Sequence, residues 1–124
     1  MEISVVHSDV TKIETDVLVV NLFKGVSSPG GATGAVDKAL FGLITDLISE
    51  GEVTGTLNEL TLIHTPSSAY SDFAPDRVLI AGLGSDDSFD TDAIRKVSAS
   101  VIRKLRAAGI KHASTIVHGA GIGG

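Results

Sequence analysis

Apolar residues fall into two patterns along this chain: short continuous runs, and longer stretches spaced by three and four. Ile3 to His7 reads as a short opening strand. Asp16-Val17-Leu18-Val19-Val20-Asn21 is an apolar run with polar ends, the pattern of a strand buried on both faces. Leu60 to His64 is a third strand, Arg77-Val78-Leu79-Ile80-Ala81 the clearest buried one, and Ala113 to His118 the last. Two helical stretches lie between them. Val36, Ala39, Leu40, Leu43, Ile44, Leu47 and Ile48 make one stripe, which predicts a single helix from Ala35 with Thr33 as N-cap and Gly51 just past its end. Ile94, Val97, Val101, Leu105 and Ala108 make the inner stripe of a second. Asp90 and Asp92 stand at its start and Arg103, Lys104 and Arg106 near its end, as the helix dipole favours, and Gly109 stops it. Strands alternating with helices predict an α/β fold with helices packed on a mostly parallel sheet.

The connections are polar or glycine-rich. Gly25 to Gly34 contains Pro29 and repeated glycines and is expected to be a loop. Glu52 to Glu59 is polar around Gly55 and predicts a short edge strand or a turn. Thr65 to Asp76 is a loop, and Ser85 to Asp90 an acidic turn. The chain finishes Gly119-Ala120-Gly121-Ile122-Gly123-Gly124. A strand entering such a turn ordinarily continues into a helix that covers the sheet, so a domain of a longer protein is expected. A sheet left without that helix would favour self-association.

Composition narrows the reading. At 124 residues the chain suits one domain with a core of its own, and aromatic residues are only 4%, so Val, Ile, Leu and Ala must build that core. The formal charge is −5, which repels phosphate backbones and argues against nucleic-acid binding. Without cysteine there are no disulfides, thiolate metal sites or cysteine nucleophiles. The N-terminus has no secretory pattern and no apolar run approaches membrane-spanning length, so no membrane association and a cytoplasmic setting are expected.

Candidate chemistry is sparse. The terminal glycines satisfy G-x-G-x-x-G, yet a dinucleotide site needs the following helix and a later acidic residue. Gly25 to Gly34 could cradle an anion by backbone N–H groups, but it lacks the Gly-Lys-Ser/Thr ending of a nucleotide loop. Asp86, Ser88, Asp90 and Asp92 alternate like a calcium loop, although Thr91 and Val97 occupy the positions that need glycine and a bidentate acid. His7, His64, His112 and His118 show no metal-ligand spacing, and no Gly-x-Ser-x-Gly elbow presents a nucleophile. No catalytic constellation emerges.

Two segments carry a resemblance. Thr15-Asp16-Val17-Leu18-Val19-Val20-Asn21 is followed by Ala35-Val36-Asp37-Lys38-Ala39-Leu40 and Gly51-Glu52-Val53-Thr54-Gly55. Later come Arg77-Val78-Leu79-Ile80-Ala81-Gly82-Leu83-Gly84, Phe89-Asp90 and Ile94-Arg95-Lys96. In order and spacing, over nearly the whole chain, these resemble the N-terminal domain of leucyl aminopeptidases, also called cytosol aminopeptidases. The resemblance implies a single macro-domain-like domain over residues 1–124, a three-layer α/β/α sandwich with a mixed, mostly parallel sheet. It implies that peptidase chemistry, with two divalent metals (zinc, manganese or magnesium), belongs to a C-terminal metallopeptidase domain whose Asn-Thr-Asp-Ala-Glu-Gly-Arg segment is missing here. This domain would then be a non-catalytic accessory with no cofactor of its own, and the catalytic domain its partner.

Macro domains proper are the second comparison. Ser8-Asp9-Val10-Thr11 resembles their Gly-Asp-Ile-Thr, whose Asp contacts adenine, and Val20-Asn21 resembles a strand ending in the Asn near the distal ribose. Gly30, Gly31 and Gly34, with Gly119 and Gly121, sit where their two phosphate loops lie. That resemblance implies ADP-ribose or a related nucleotide as ligand. Leu22-Phe23-Lys24 departs from it, because macro domains carry small residues and a second Asn there, and bulk would close the ribose pocket.

Overall fold

The structure, a computed structural model, describes residues 1–6 and 9–116. Its strands are β1 (Glu2–Val6), β2 (Val17–Phe23), β3 (Leu60–His64), β4 (Arg77–Gly84) and β5 (His112–Ile116). They form one sheet in the order β1-β5-β2-β4-β3. β1, β5, β2 and β4 run parallel, and β3 lies antiparallel to β4 at one edge. Helices α1 (Gly31–Ala39) and α2 (Leu43–Ser49) cover one face, and α3 (Thr91–Ala107) the other. The expected mixed α/β/α sandwich is therefore the observed one.

Alternation along the central strands divides the core in two. Leu18, Val20 and Leu22 of β2 pack with Val78 and Ile80 of β4 beneath α1 and α2, where Val36, Leu40 and Ile44 meet them. Val17 and Val19 pack with Leu79, Ala81 and Leu83 beneath α3, against Val97, Val101 and Leu105. Both faces of β2 and β4 are thus buried, which is why these strands read as unbroken apolar runs.

Several boundaries differ from the sequence reading, each for a local reason. The single helix expected from Ala35 is two, broken at Leu40-Phe41-Gly42. Phe41 and Gly42 take positive φ of 59° and 82°, which ends α1 and redirects the chain. Thr33 is not the N-cap: Gly30 holds that position, and the Thr33 hydroxyl donates to the Asn21 carbonyl at 2.8 Å. Gly51 does follow the last turn, with φ of 76°. β4 continues through Gly82 and Gly84, and β2 through Phe23, because the two strands keep pairing past a register shift after Leu22. On α3, Ala93 is buried where Ile94 was expected, and Ala108 is exposed. Asp90 caps α3, accepting from the Ala93 N–H at 2.9 Å, and Gly109 follows its end.

Glu52 to Glu59 is a loop without strand, folded across the ends of β2 and β4. The Gly84 N–H donates to the Gly55 carbonyl at 2.9 Å, and Gly82 exchanges hydrogen bonds with Glu59 and Asn58. A Cβ on Gly82 would stand 2.0 Å from the Thr56 carbonyl oxygen. The Glu59 carboxylate ties the loop together, accepting from the Thr54 N–H and hydroxyl and from the Gly55 N–H at 2.8–3.0 Å. Burial pushes the Glu59 carboxyl upward, but those three donors together outweigh it and leave its pKa below the ordinary value.

Candidate functional site

Ligands of open α/β sheets sit beyond the carboxyl ends of the parallel strands. Here that end of β2 carries Asn21, and the chain leaves through the expected glycine loop into α1. Gly31 enters the helix at φ of 56°, and Gly34 donates its N–H to the Gly30 carbonyl at 2.8 Å. A Cβ on Gly34 would lie 2.6 Å from the Pro29 carbonyl oxygen, so the tight entry requires glycine there. Gly30, Gly31 and Gly34 are held against β2 by the Thr33 hydroxyl bond to the Asn21 carbonyl.

The Asn21 side chain is placed differently. It is fully buried, and among the described residues neither Oδ1 nor Nδ2 has a hydrogen-bond partner. Alternation with Val19 puts it on the α3 face, opposite the side that α1 covers. An unpaired buried amide costs about 1–3 kcal/mol. Leu22 lies in the core under α1, and Phe23 meets Phe89 edge-on at 5.3 Å between ring centres.

Asp9 stands on the α1 side. Its carboxylate caps the 3-10 turn Val10–Lys12, accepting from the Thr11 N–H at 3.0 Å and hydroxyl at 2.7 Å. The Thr11 hydroxyl, then its N–H, hold this exposed carboxyl below its ordinary pKa. It borders an open groove of about 1040 Å³ between this turn, α1 and the 71–74 segment. Lys12, Lys38, Asp72, Phe41 and Phe73 also line it. Phe41 is 76% exposed and stacks on Tyr70 with ring centres 6.0 Å apart. Sequence reasoning missed this groove, although Phe41-Gly42 inside a helical stripe is a break signal. The structure thus brings Gly30, Gly31 and Gly34 to the Asn21 backbone, and leaves Asp9 in a groove that Ala35, Lys38 and Ala39 of α1 line but these glycines do not. Gly119 and Gly121 lie outside the described residues.

A smaller cleft of about 340 Å³ lies among Glu14, Asp16, Asp76 and His112. The Thr15 hydroxyl lies 3.1 Å from the Val17 carbonyl, to which it can donate, and 2.9 Å from His112 Nδ1. His112 Nε2 is 3.4 Å from the Glu2 carboxylate. His64 is on edge strand β3, with β4, β2 and β5 between it and the far edge, so it is not a neighbour of His112. His7 and His118 are outside the described residues. Among the described residues, no three His, Asp or Glu side chains gather to hold a metal ion. The paired divalent metals that the resemblance implies therefore have no fitting ligand set in the described part of this chain.

Solved structures define the class. The macrodomain of Mycobacterium tuberculosis DarG superposes with a TM-score of 0.70 at 19% identity, covering 98% of this chain and 80% of that one. A tomato leucine aminopeptidase variant does so with a TM-score of 0.69 at 16% identity, over 98% of this chain and 24% of that one. The fold is macro-domain-like. The family model described as the cytosol aminopeptidase family, N-terminal domain, matches residues 19–120. The chain belongs to that family. A probable cytosol aminopeptidase of Geobacter sulfurreducens is 30% identical over 118 residues, which cover 95% of this chain and 23% of that protein. One of Alkaliphilus metalliredigens is 27% identical over 106 residues, 86% of this chain and 20% of that protein. The chain thus spans about a quarter or less of these curated relatives. No helix among the described residues is long and apolar enough to cross a membrane.

Proposed function

We propose that this domain is the non-catalytic accessory part of a metal-dependent aminopeptidase, packing on a C-terminal catalytic domain in the cytoplasm and shaping assembly or substrate access there. The observation that carries this is the family match over residues 19–120, in a chain a quarter the length of its relatives. The described residues add no metal cluster, and the chain has no cysteine nucleophile. The 124-residue chain should not hydrolyse leucine-p-nitroanilide, even with manganese added. Turnover that co-purifies with the protein and tracks its concentration would overturn the reading.

A second reading is favoured by the glycine loop at the N-terminus of α1, held to the Asn21 backbone, with the Asn21 amide on the opposite face left without a partner among the described residues: binding of ADP-ribose or a related nucleotide. A structural neighbour of this chain, DarTG of Thermosipho africanus, is described in complex with ADP-ribose (TM-score 0.69, 17% identity). On this reading Asp9, Asn21, Gly30, Gly31 and Gly34 contact the ligand, with Gly119 and Gly121. At a hundredfold excess over Kd the ligand should stabilise the domain by about 2.7 kcal/mol, visible as a rise in Tm that Asp9→Ala abolishes. An unchanged Tm at millimolar ADP-ribose would remove this reading and leave the first.

A further inference from the structure

Charge is spread unevenly over this chain. Six of the ten Lys and Arg lie between Ala93 and Lys111, a stretch without Asp or Glu, so it carries +6. The rest of the chain holds four cations and all fifteen acids, and carries −11. Helix α3 gathers most of the positive charge on one side. Ala93, Val97, Val101 and Leu105 form its buried stripe. At roughly 100° per residue, Arg95, Ala99, Arg103 and Arg106 fall within an arc of about 80° on the opposite side. All four are exposed, as are Lys96, Lys104 and Lys111 around them. Arg95 and Arg106 stand about 16 Å apart along the helix axis.

Local chemistry accounts for only part of this row. The helix dipole favours Lys104 and Arg106 in the last turn, but its effect does not extend to Arg95, Lys96 or Arg103. Ion pairs do not hold the row either: among the described residues, none of the six cations lies within 4 Å of a carboxylate. Arg103 Nη2 donates only to Ser100 Oγ, at 3.2 Å. Like charges three residues apart on a helix, as at Arg103 and Arg106, repel each other. Protein surfaces ordinarily intersperse the two signs, whereas a single-sign field steers an oppositely charged partner.

We propose that the outer face of α3 is a docking strip for a short acidic segment of a separate protein. Three features select that partner. The arginine fork matches a carboxylate with two parallel hydrogen bonds. No exposed residue of α3 carries an apolar side chain larger than alanine. Permanent interfaces bury apolar cores, so contact through this face is transient and its partner folds separately. The strip is also short and bounded by acids, with Asp92 in the first turn of α3 and Asp86, Asp87 and Asp90 just before it. A nucleic acid or a membrane plane laid along the strip would run on over those carboxylates, which a segment no longer than the strip avoids.

The inference does not rest on either reading of function, since α3 covers the face of the sheet opposite α1 and the glycine loop. The test uses the 124-residue chain and, as probe, a fluorescein-labelled peptide of about twelve glutamates, long enough to span the strip. Fluorescence anisotropy should show saturable binding that weakens severalfold between about 50 and 200 mM salt. Arg95→Gln, Arg103→Gln and Arg106→Gln together should weaken it by roughly tenfold or more. These are exposed helix positions where Gln is well tolerated, so the circular dichroism should stay unchanged. Lys12→Gln, Lys24→Gln and Lys38→Gln together change the net charge equally at exposed sites off the strip, and should weaken binding less than about twofold. No binding at low salt, equal losses in the two triple variants, or tighter binding of a DNA duplex or of phosphatidylserine vesicles than of the peptide would each overturn the proposal.

Discussion

Asp37 offers the sharpest test of how this fold is held. It sits in the last turn of α1, is buried, and reaches past the break to the start of α2. Its Oδ1 accepts from the Ile44 N–H at 2.8 Å and the Thr45 N–H at 3.1 Å, and its Oδ2 accepts from the Thr45 hydroxyl. Gly42, the residue in the N-cap position of α2, has no side chain to do this. Asp37 therefore caps a helix to which it does not belong, and fixes the angle between α1 and α2. Ile44 is fully buried, so Asp37→Ala leaves its N–H without an acceptor and without water. Hydrogen bonds to a charged group are worth about 1.5–3 kcal/mol and a lost cap about 1, with the two overlapping here; a total near 2–3 kcal/mol is expected. For a domain of this size that lowers Tm by roughly 8–11 °C. Asp37→Asn keeps one carbonyl acceptor for the α2 N–H groups and should cost about half as much. Urea unfolding of the three proteins measures this, with the slope unchanged if only the folded state is affected. A loss below about 0.5 kcal/mol for Ala, or an Asn variant no better than Ala, would refute the capping argument.

Two further outcomes are expected. Gly82→Ala should cost more than about 3 kcal/mol or prevent folding, because its Cβ meets the Thr56 carbonyl at 2.0 Å, whereas Gly42→Ala, positive in φ but facing open space, should cost about 1–2; equal losses in urea titrations would contradict this. Glu59→Gln should destabilise the domain at neutral pH and converge with the parent in acid, since a carboxyl whose folded pKa lies below its reference value of 4.5 contributes stability above that value and loses it as pH falls through the folded one. Urea midpoints between pH 3 and 7 check the sign; a gap that widens in acid contradicts it.

Local pattern determined much of this protein. Val17 to Val20 and Val78 to Ala81 read as strands buried on both faces and are, and Asp90 and Gly109 bracket α3 as their capping chemistry favours. Those signals were legible because each depends on neighbours within a turn or along a strand. Among the segments carrying the family resemblance, 15–21 and 77–84 lie on these strands, while Ala35–Leu40 closes α1 and Gly51–Gly55 is loop.

Tertiary structure decided the rest. The apolar stripe from Val36 to Ile48 is continuous in sequence, yet the helix breaks where Asp37 and Gly42 offer a better solution together than either does alone. The end of β4 depends on the 54–59 loop, whose backbone takes the hydrogen bonds of Gly82 and Gly84. Asn21 reads as the polar end of a strand, but the strand runs on to Phe23 and buries its amide without a partner among the described residues. Sequence spacing specifies which residues alternate or align; only the packed sheet specifies which of two faces they share, and what, if anything, meets them there.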